Sequence, residues 1–262
     1  MFGGQECPRS NLKYFVHLHT RVKPAVTLGL LTLKMNPISK IVWKFSAEAR
    51  KKRAQIFREF FSIDEHTKIL DLGSNNGTNI FNVLQDTNYN PANVHIADID
   101  KNAIEEGRRN YGFNAVLIDE SGRLPFPEKF FDIVFCSSVI EHVTIVKSDV
   151  WSWKDGAQFK RESWKRQKEF AGEIVRLGKQ YFVQTPCKTF PIESHTWLPI
   201  VGYLPRKQFL PILKLSNRFW VKQAEPDFNL LGEEDMEQLF PDAKIVCGKK
   251  YGLTKSVMAI KN

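Results

Sequence analysis

Short apolar runs of strand length recur through the first half of the chain. Residues 68–71 read Lys-Ile-Leu-Asp, 94–98 Val-His-Ile-Ala-Asp, 115–119 Ala-Val-Leu-Ile-Asp and 131–136 Phe-Asp-Ile-Val-Phe-Cys. Helical stretches separate the early runs, over residues 79–84 and 102–110. Ahead of them, residues 49–61 put Ile56, Phe57, Phe60 and Phe61 on one helical face, opposite Arg50, Lys51 and Arg58. Strands alternating with helices predict an α/β domain with a doubly wound, mostly parallel sheet. Downstream the pattern gives a helix over 161–178, a strand over 180–184 and an aromatic, proline-rich segment over 185–220. An acidic helix over 233–240 and two strands over 243–247 and 256–260 follow, and that terminal pair predicts an antiparallel edge. The expected organisation is a basic N-terminal extension over 1–45 and one domain over 46–262, in which 151–222 form a Pro/aromatic-rich, substrate-side insert or lid.

Charge changes this picture at one end only. Residues 1–60 hold 12 Lys/Arg against the three acids Glu6, Glu48 and Glu59, whereas residues 61–262 hold 26 of each sign. The whole net charge of +9 is therefore local to the first segment. Such a segment either meets a phosphate-bearing surface, membrane or nucleic acid, or forms the solvated face of a helix packed on the domain. No stretch reaches the ~20 apolar residues that cross a bilayer, and the longest, over 25–33, stops at Lys34. That stretch also lies too far along for a secretory signal. Cys7, Cys136, Cys187 and Cys247 include no CxxC pair, which argues against a zinc knuckle or a disulfide framework and suits a reducing compartment. A cytoplasmic protein, peripheral to a membrane through residues 1–45, is the expectation.

The candidate chemistry begins with acids at strand ends. Asp71 closes the first run and opens the loop Asp-Leu-Gly-Ser-Asn-Asn-Gly over 71–77, where Gly73 and Gly77 let the backbone turn and approach a ligand closely. Asp98 closes the second run and suits the two hydroxyls of a ribose; Asp119 closes the third and suits a base amino group. In open α/β sheets, ligands lie at the carboxyl ends of the strands.

These residues resemble the motifs of class I S-adenosylmethionine-dependent methyltransferases, in particular the type-11 methyltransferase-domain group. The loop from Asp71 to Gly77 resembles the first motif, and Ala-Asp-Ile-Asp over 97–100 the second. Asp119, the Arg-Leu-Pro-Phe-Pro run over 123–127 and the strand over 131–135 are similar to the third and fourth. Ser-Ser-Val-Ile-Glu-His-Val over 137–143 resembles the stretch that follows. The chain departs at Asn75, which replaces the usual middle glycine; asparagine accepts positive φ more readily than most residues. The resemblance implies a Rossmann-like fold, S-adenosyl-L-methionine as cofactor, and a cofactor site of Asp71, Gly73, Ser74, Asn75, Gly77, Asp98, Ile99, Asp119, Glu120 and Ser137.

Two groups are candidates for catalysis. Glu141 and His142 follow the fourth strand, at the cofactor end of the sheet, and either could take the proton of a hydroxyl acceptor. Glu193 and His195 follow the fifth strand, in a Phe-Pro-Ile-Glu-Ser-His run over 190–195 similar to one found in the type-11 group among proteins of sugar and glycan modification. Two residues are too few for a metal site, and none is expected. Trp151, Trp153, Trp164, Trp197 and Trp220 lie outside the cofactor motifs and could stack on an acceptor ring or sit at a membrane interface, while residues 197–221 mix apolar and basic side chains as a lipid-facing surface does. The leading expectation is methylation of a hydroxyl on a saccharide or glycolipid-like, lipid-linked or other small-molecule acceptor. A quinone or aromatic acceptor, RNA, and a non-catalytic S-adenosylmethionine-binding protein are the alternatives. Nucleic acid is disfavoured: the Asn/Asp-Pro-Pro-aromatic tetrapeptide of base-amino enzymes is absent, and Pro186-Cys187 has no partner cysteine motif.

Overall fold

The computed structural model describes residues 37–119, 122–220 and 222–262, with side chains from Glu48 onward. Residues 1–36 and Glu120 lie outside the described residues, and with them most of the basic extension and one expected cofactor contact.

Strands β1 (Ile69–Leu72), β2 (Val94–Asp98), β3 (Asn114–Leu117), β4 (Phe131–Ser137), β5 (Gly178–Pro186), β6 (Lys244–Lys250) and β7 (Leu253–Lys261) form one sheet in the order β3-β2-β1-β4-β5-β7-β6. The first five are mutually parallel, and β7 runs antiparallel between β5 and β6. The strand order reverses between β1 and β4, and in open α/β sheets ligands bind at the carboxyl ends of the strands at such a switch.

Helices cover both faces, and the strand sequences show why. Side chains alternate across a strand, yet Ile69 and Leu70, Ile133 and Val134, and Phe182 and Val183 are all fully buried. One face carries Ile69, Ile96, Ile133, Phe135 and Phe182 against Phe57 of α1 (Pro37–Phe60), Ile80 of α2 (Thr78–Leu84) and Ile104 of α3 (Lys101–Tyr111). The other carries Leu70, Leu72, Val134, Cys136 and Val183 against Phe170 and Ile174 of α4 (Gly156–Leu177) and Met236 of α6 (Glu233–Leu239). Phe57 anchors the first layer, with its ring 5.5 Å from those of Phe135 and Phe182. No described helix is long and apolar enough to cross a membrane.

Two boundaries differ from the sequence reading. Asp71 does not end its strand: Leu72 still pairs with Ala97, so Asp71 is an interior residue, 2% exposed. Within the 151–222 span, α4 and β5 belong to the main layers, so the chain that leaves the sheet runs from 187 to 232. It contains α5 (Arg206–Ser216) and its own small core of Val201, Phe209, Leu213 and Phe228. Arg206 ties this segment down by donating to the carbonyls of Val150, Trp153 and Pro226 and lying 3.6 Å over the Phe159 ring.

Candidate active site

The loop after β1 turns back over the end of β2. Gly73 and Ser74 both donate their N–H to the Ala97 carbonyl. Gly73 has φ +77° and a Cβ there would lie 2.5 Å from Val139, so no other residue fits. Asn75 adopts φ 54° and its N–H donates to Asp98 Oδ2 at 2.8 Å, while the Asp100 N–H donates to Asp98 Oδ1 at 3.0 Å. The asparagine thus makes the left-handed turn that a glycine makes elsewhere, and its side chain holds the next N–H, that of Asn76, at 2.8 Å. Gly77, at φ 74°, delivers the chain into α2.

Two buried carboxyls lie beneath this loop. Burial pushes the Asp71 carboxyl well above the usual carboxylate range, and the neighbouring Asp98 charge adds to the effect. Asp71 Oδ2 has no hydrogen-bond donor, an expense that a native interior rarely carries without cause. Burial also raises Asp98, against the backbone N–H groups that it accepts. A glycine cradle with no room for a Cβ, an orphaned buried acceptor and a carboxylate at the end of β2 fit a ligand with hydroxyls and a positive charge. S-Adenosylmethionine carries both.

Beside the cradle, at the ends of β4 and β5, the two groups of candidate residues meet. A 3-10 turn, Ile140–His142, follows β4 directly and buries Glu141 and His142. His142 Nδ1 lies 3.2 Å from Asp227 Oδ1, which turns Nε2 away from the aspartate. His195 Nδ1 lies 2.7 Å from Glu193 Oε1, and its Nε2 is 3.6 Å from Glu141 Oε1. The two imidazoles meet edge to face at 4.5 Å, and Phe228 stacks on His195 at 4.5 Å. Thr185, at the end of β5, donates to Glu141 Oε2 at 3.1 Å, whereas Glu141 Oε1 is buried with no hydrogen bond.

The charges settle one another. Burial pushes Glu193 up, but His195 and the N–H groups of His195 and Thr196 outweigh it and bring the carboxyl down to about 2. His195 is pushed down by burial and up by Glu193 and Glu141, which win and raise it to about 9. Asp227 is pushed up by burial and held below its ordinary value by the His142 hydrogen bond. Arg53 of α1, lowered to about 10 by burial, feels the Glu141 charge in the opposite direction.

A clasp on α4 aligns the cluster. Gln167 donates to the carbonyls of Ile140 and Asn229 at 3.0 Å each, Asn229 donates back to Gln167 at 2.9 Å, and the Asn229 N–H donates to the Glu141 carbonyl at 2.8 Å. This fixes the 227–229 stretch, and so Asp227, against the turn after β4.

Gly73, Ser74, Asn75, Gly77 and Asp98 therefore lie together around one loop, and Asp119 follows β3 on the same edge, exposed and two residues past the strand. Ile99 packs against the core of the sheet. Ser137 ends β4, and its hydroxyl donates to Gln184 Oε1 at 2.9 Å, joining β4 to β5. Asp227, Thr185 and Arg53 escaped the sequence reading. Asp227 sits 85 residues from its histidine, in a stretch without periodicity, and no local signal marks it.

Residues 69–151 match the family model described as a methyltransferase domain. That span runs from β1 through the turn bearing Glu141 and His142. No curated protein matches the sequence. Among solved structures, a SAM dependent methyltransferase from Aquifex aeolicus is 13% identical, covering 79% of this chain and 86% of its own, at a TM-score of 0.43. The magnesium protoporphyrin IX methyltransferase of Synechocystis PCC 6803, solved with bound SAH, is 13% identical, covering 87% of this chain and 89% of its own, at a TM-score of 0.48.

Proposed function

We propose, from the premise that this chain is a class I S-adenosylmethionine-dependent methyltransferase, that it methylates a hydroxyl of a saccharide or glycolipid-like acceptor. When bound, the cofactor supplies a methyl group already made electrophilic by its sulfonium. This chain's own residues bind it, orient it and manage the acceptor's proton. Gly73 and Asn75 shape the loop, and Asp98 supplies carboxylate oxygens for ribose hydroxyls. Asp71 offers its unpaired oxygen to positive charge.

One observation carries the hydroxyl: the cluster of buried Glu141 and His142 with half-buried His195 at the ends of β4 and β5. A neutral amine attacks without giving up a proton first, but a hydroxyl is a weak nucleophile until its proton is drawn away. Asp227 at His142 Nδ1 turns Nε2 away from the aspartate, and Glu141 Oε1 accepts no hydrogen bond, with His195 Nε2 3.6 Å away. Bound cofactor would supply the methyl group and keep the carbon–sulfur electron pair on sulfur, while this chain's residues hold the acceptor oxygen in line with that methyl. The oxygen's proton passes to the cluster and then to water. Positioning contributes up to ~7–11 kcal/mol in such a transfer, and removal of the proton a further ~10²–10⁴-fold.

The saccharide is supported by Trp197 and Trp220, both half-buried and attached to the loop bearing His195. Trp220 Nε1 donates to the Thr196 carbonyl at 2.9 Å. Such rings stack on sugar faces and keep a polar edge for hydrogen bonds. A lipid-linked acceptor, and peripheral membrane contact, fit α5 and the turn after it, where Leu215 and Phe219 are 56% and 71% exposed beside Lys214 and Arg218. Residues 1–45 add the basic charge that an anionic headgroup surface attracts.

The test is incubation of the full chain with radiolabelled methyl donor and total cell extract, followed by fractionation and acid hydrolysis. Label should remain on a methylated sugar and fall ~10²–10⁴-fold in His142→Ala. Label in RNA or on an amine overturns the reading.

A further inference from the structure

We propose that Glu141, His142 and His195 bind a divalent first-row transition ion, of the Zn²⁺, Co²⁺ or Mn²⁺ kind, against which the acceptor hydroxyl is placed. This rests on the hydroxyl reading above and deepens it, by naming what draws the proton away.

The donor set comes first. One carboxylate oxygen and two imidazole nitrogens lie within 4.8 Å of one another, and the Glu141 Oε1 to His195 Nε2 separation is 3.6 Å. Ligands at ~2.0–2.2 Å from a common ion sit about 3–3.5 Å apart, so one pair is already spaced for it and the third atom has about an ångström to close. Two histidines and one carboxylate, with remaining positions open, suit a transition ion that also receives substrate.

The groups behind the donors point the same way. Each histidine presents Nδ1 to its own carboxylate, His142 to Asp227 at 3.2 Å and His195 to Glu193 at 2.7 Å. That arrangement turns the Nε2 edge of each ring away from its carboxylate, and it is the usual support of metal-binding imidazoles. His195 Nε2 is thereby turned toward Glu141 Oε1, 3.6 Å away, and the His142 ring meets the His195 ring edge to face at 4.5 Å. Glu141 is fully buried, Thr185 satisfies its other oxygen, and Oε1 has no hydrogen bond. Ion pairing accounts for Glu193 on His195 and for Glu141 Oε1 3.6 Å from His195 Nε2, but not for the separate Asp227 on His142 or for a buried Glu141 oxygen that accepts no hydrogen bond. Three carboxylates, Glu141, Glu193 and Asp227, gather here with Arg53, Lys147 and Lys222 as nearby cations, and a divalent ion would take the place of a proton between Glu141 and His195. Such an ion draws electron density from a hydroxyl oxygen and eases loss of its proton, which is what O-methylation at this position requires.

The test uses the purified full chain, stripped with chelator and dialysed against Co²⁺ or Zn²⁺. Elemental analysis should find about one ion per chain, and Co²⁺ should give the visible absorption of a nitrogen–oxygen site. Glu141→Gln and His195→Asn should lose the ion while still binding S-adenosylhomocysteine, which reports an intact domain. Glu193→Gln and Asp227→Asn should weaken it ~10–100-fold. X-ray absorption of the bound ion in the unmodified chain, which needs no variant, should show two imidazole ligands. A parent protein that retains no ion, a bound ion without imidazole ligands, or variants that keep it overturns the inference. The two readings fail separately: label on sugar that chelator leaves unchanged, with no ion bound, sinks the metal and keeps the acceptor. Bound ion with label confined to RNA or amines sinks the acceptor and keeps the metal site.

Discussion

Replacement of Asp98 by asparagine probes the cofactor half of the site with almost no change of shape. In the ligand-free protein the carboxylate accepts from the N–H groups of Asn75 at 2.8 Å and Asp100 at 3.0 Å, on different oxygens. An amide retains one acceptor oxygen and turns an N–H₂ group toward the other partner, so one charge-assisted hydrogen bond is lost, and the oxygen offered to a ribose hydroxyl goes with it. Hydrogen bonds to charged groups contribute about 1.5–3 kcal/mol each. At 1.4 kcal/mol per decade, loss of the ribose contact alone weakens binding about 10- to 100-fold. The ligand-free fold should suffer far less, because burial already disfavours the Asp98 charge and its removal offsets part of the lost bonding. Calorimetric titration of S-adenosylhomocysteine into Asp98→Asn, beside thermal denaturation of both proteins without ligand, separates the two effects. Binding within about threefold of the parent, with the melting temperature unchanged, would refute the assignment of Asp98 to the ribose.

Two further outcomes are expected elsewhere. Phe57→Ala removes the ring that joins α1 to Phe135 and Phe182 and should cost about 3–5 kcal/mol in chemical denaturation; a loss under about 1 kcal/mol would mean that α1 is not part of the folded core. Asp71→Asn tests a pH slope. The folded Asp71 carboxyl titrates above its unfolded value, so the native state binds more protons than the unfolded state between the two values, and stability falls as pH rises through that window. The asparagine variant lacks this slope, and its melting temperature without ligand should exceed the parent's by more at pH 8 than near pH 4. An equal difference at both pH values counts against a buried, unpaired carboxyl at this position.

The strand, turn and helix around the proposed cofactor loop were legible because their logic is local. A strand, a glycine turn and a following helix sit within about one supersecondary unit, and an acid at the next strand end falls beside them once the sheet is parallel. Even there, Asp71 was misplaced by one step, since an aspartate before Leu-Gly reads as a strand end although Leu72 continues the ladder with Ala97. Helix α5 was hidden in a proline-rich segment because Pro211 lies inside it, an unusual position for a residue that lacks the N–H and crowds the preceding turn.

The cluster proposed to receive the acceptor depends on geometry that spacing cannot express. Glu141 and His142 on one side, and Glu193 and His195 on the other, stand apart in sequence and meet only because β4 and β5 are neighbours whose ends release both segments over the same edge. Nothing in either segment announces the other. Asp227 is more remote still: its place is set by the Gln167–Asn229 clasp, in which an interior polar residue of α4 satisfies the carbonyls of two separate turns. Gln167 is fully buried, and a glutamine there is tolerable only with its partners in place. Gln167→Leu should therefore keep the hydrophobic layer of α4 while releasing the 227–229 stretch, so a site assembled across so long a span of chain depends on one interior amide whose helical position, taken alone, looks like a surface residue.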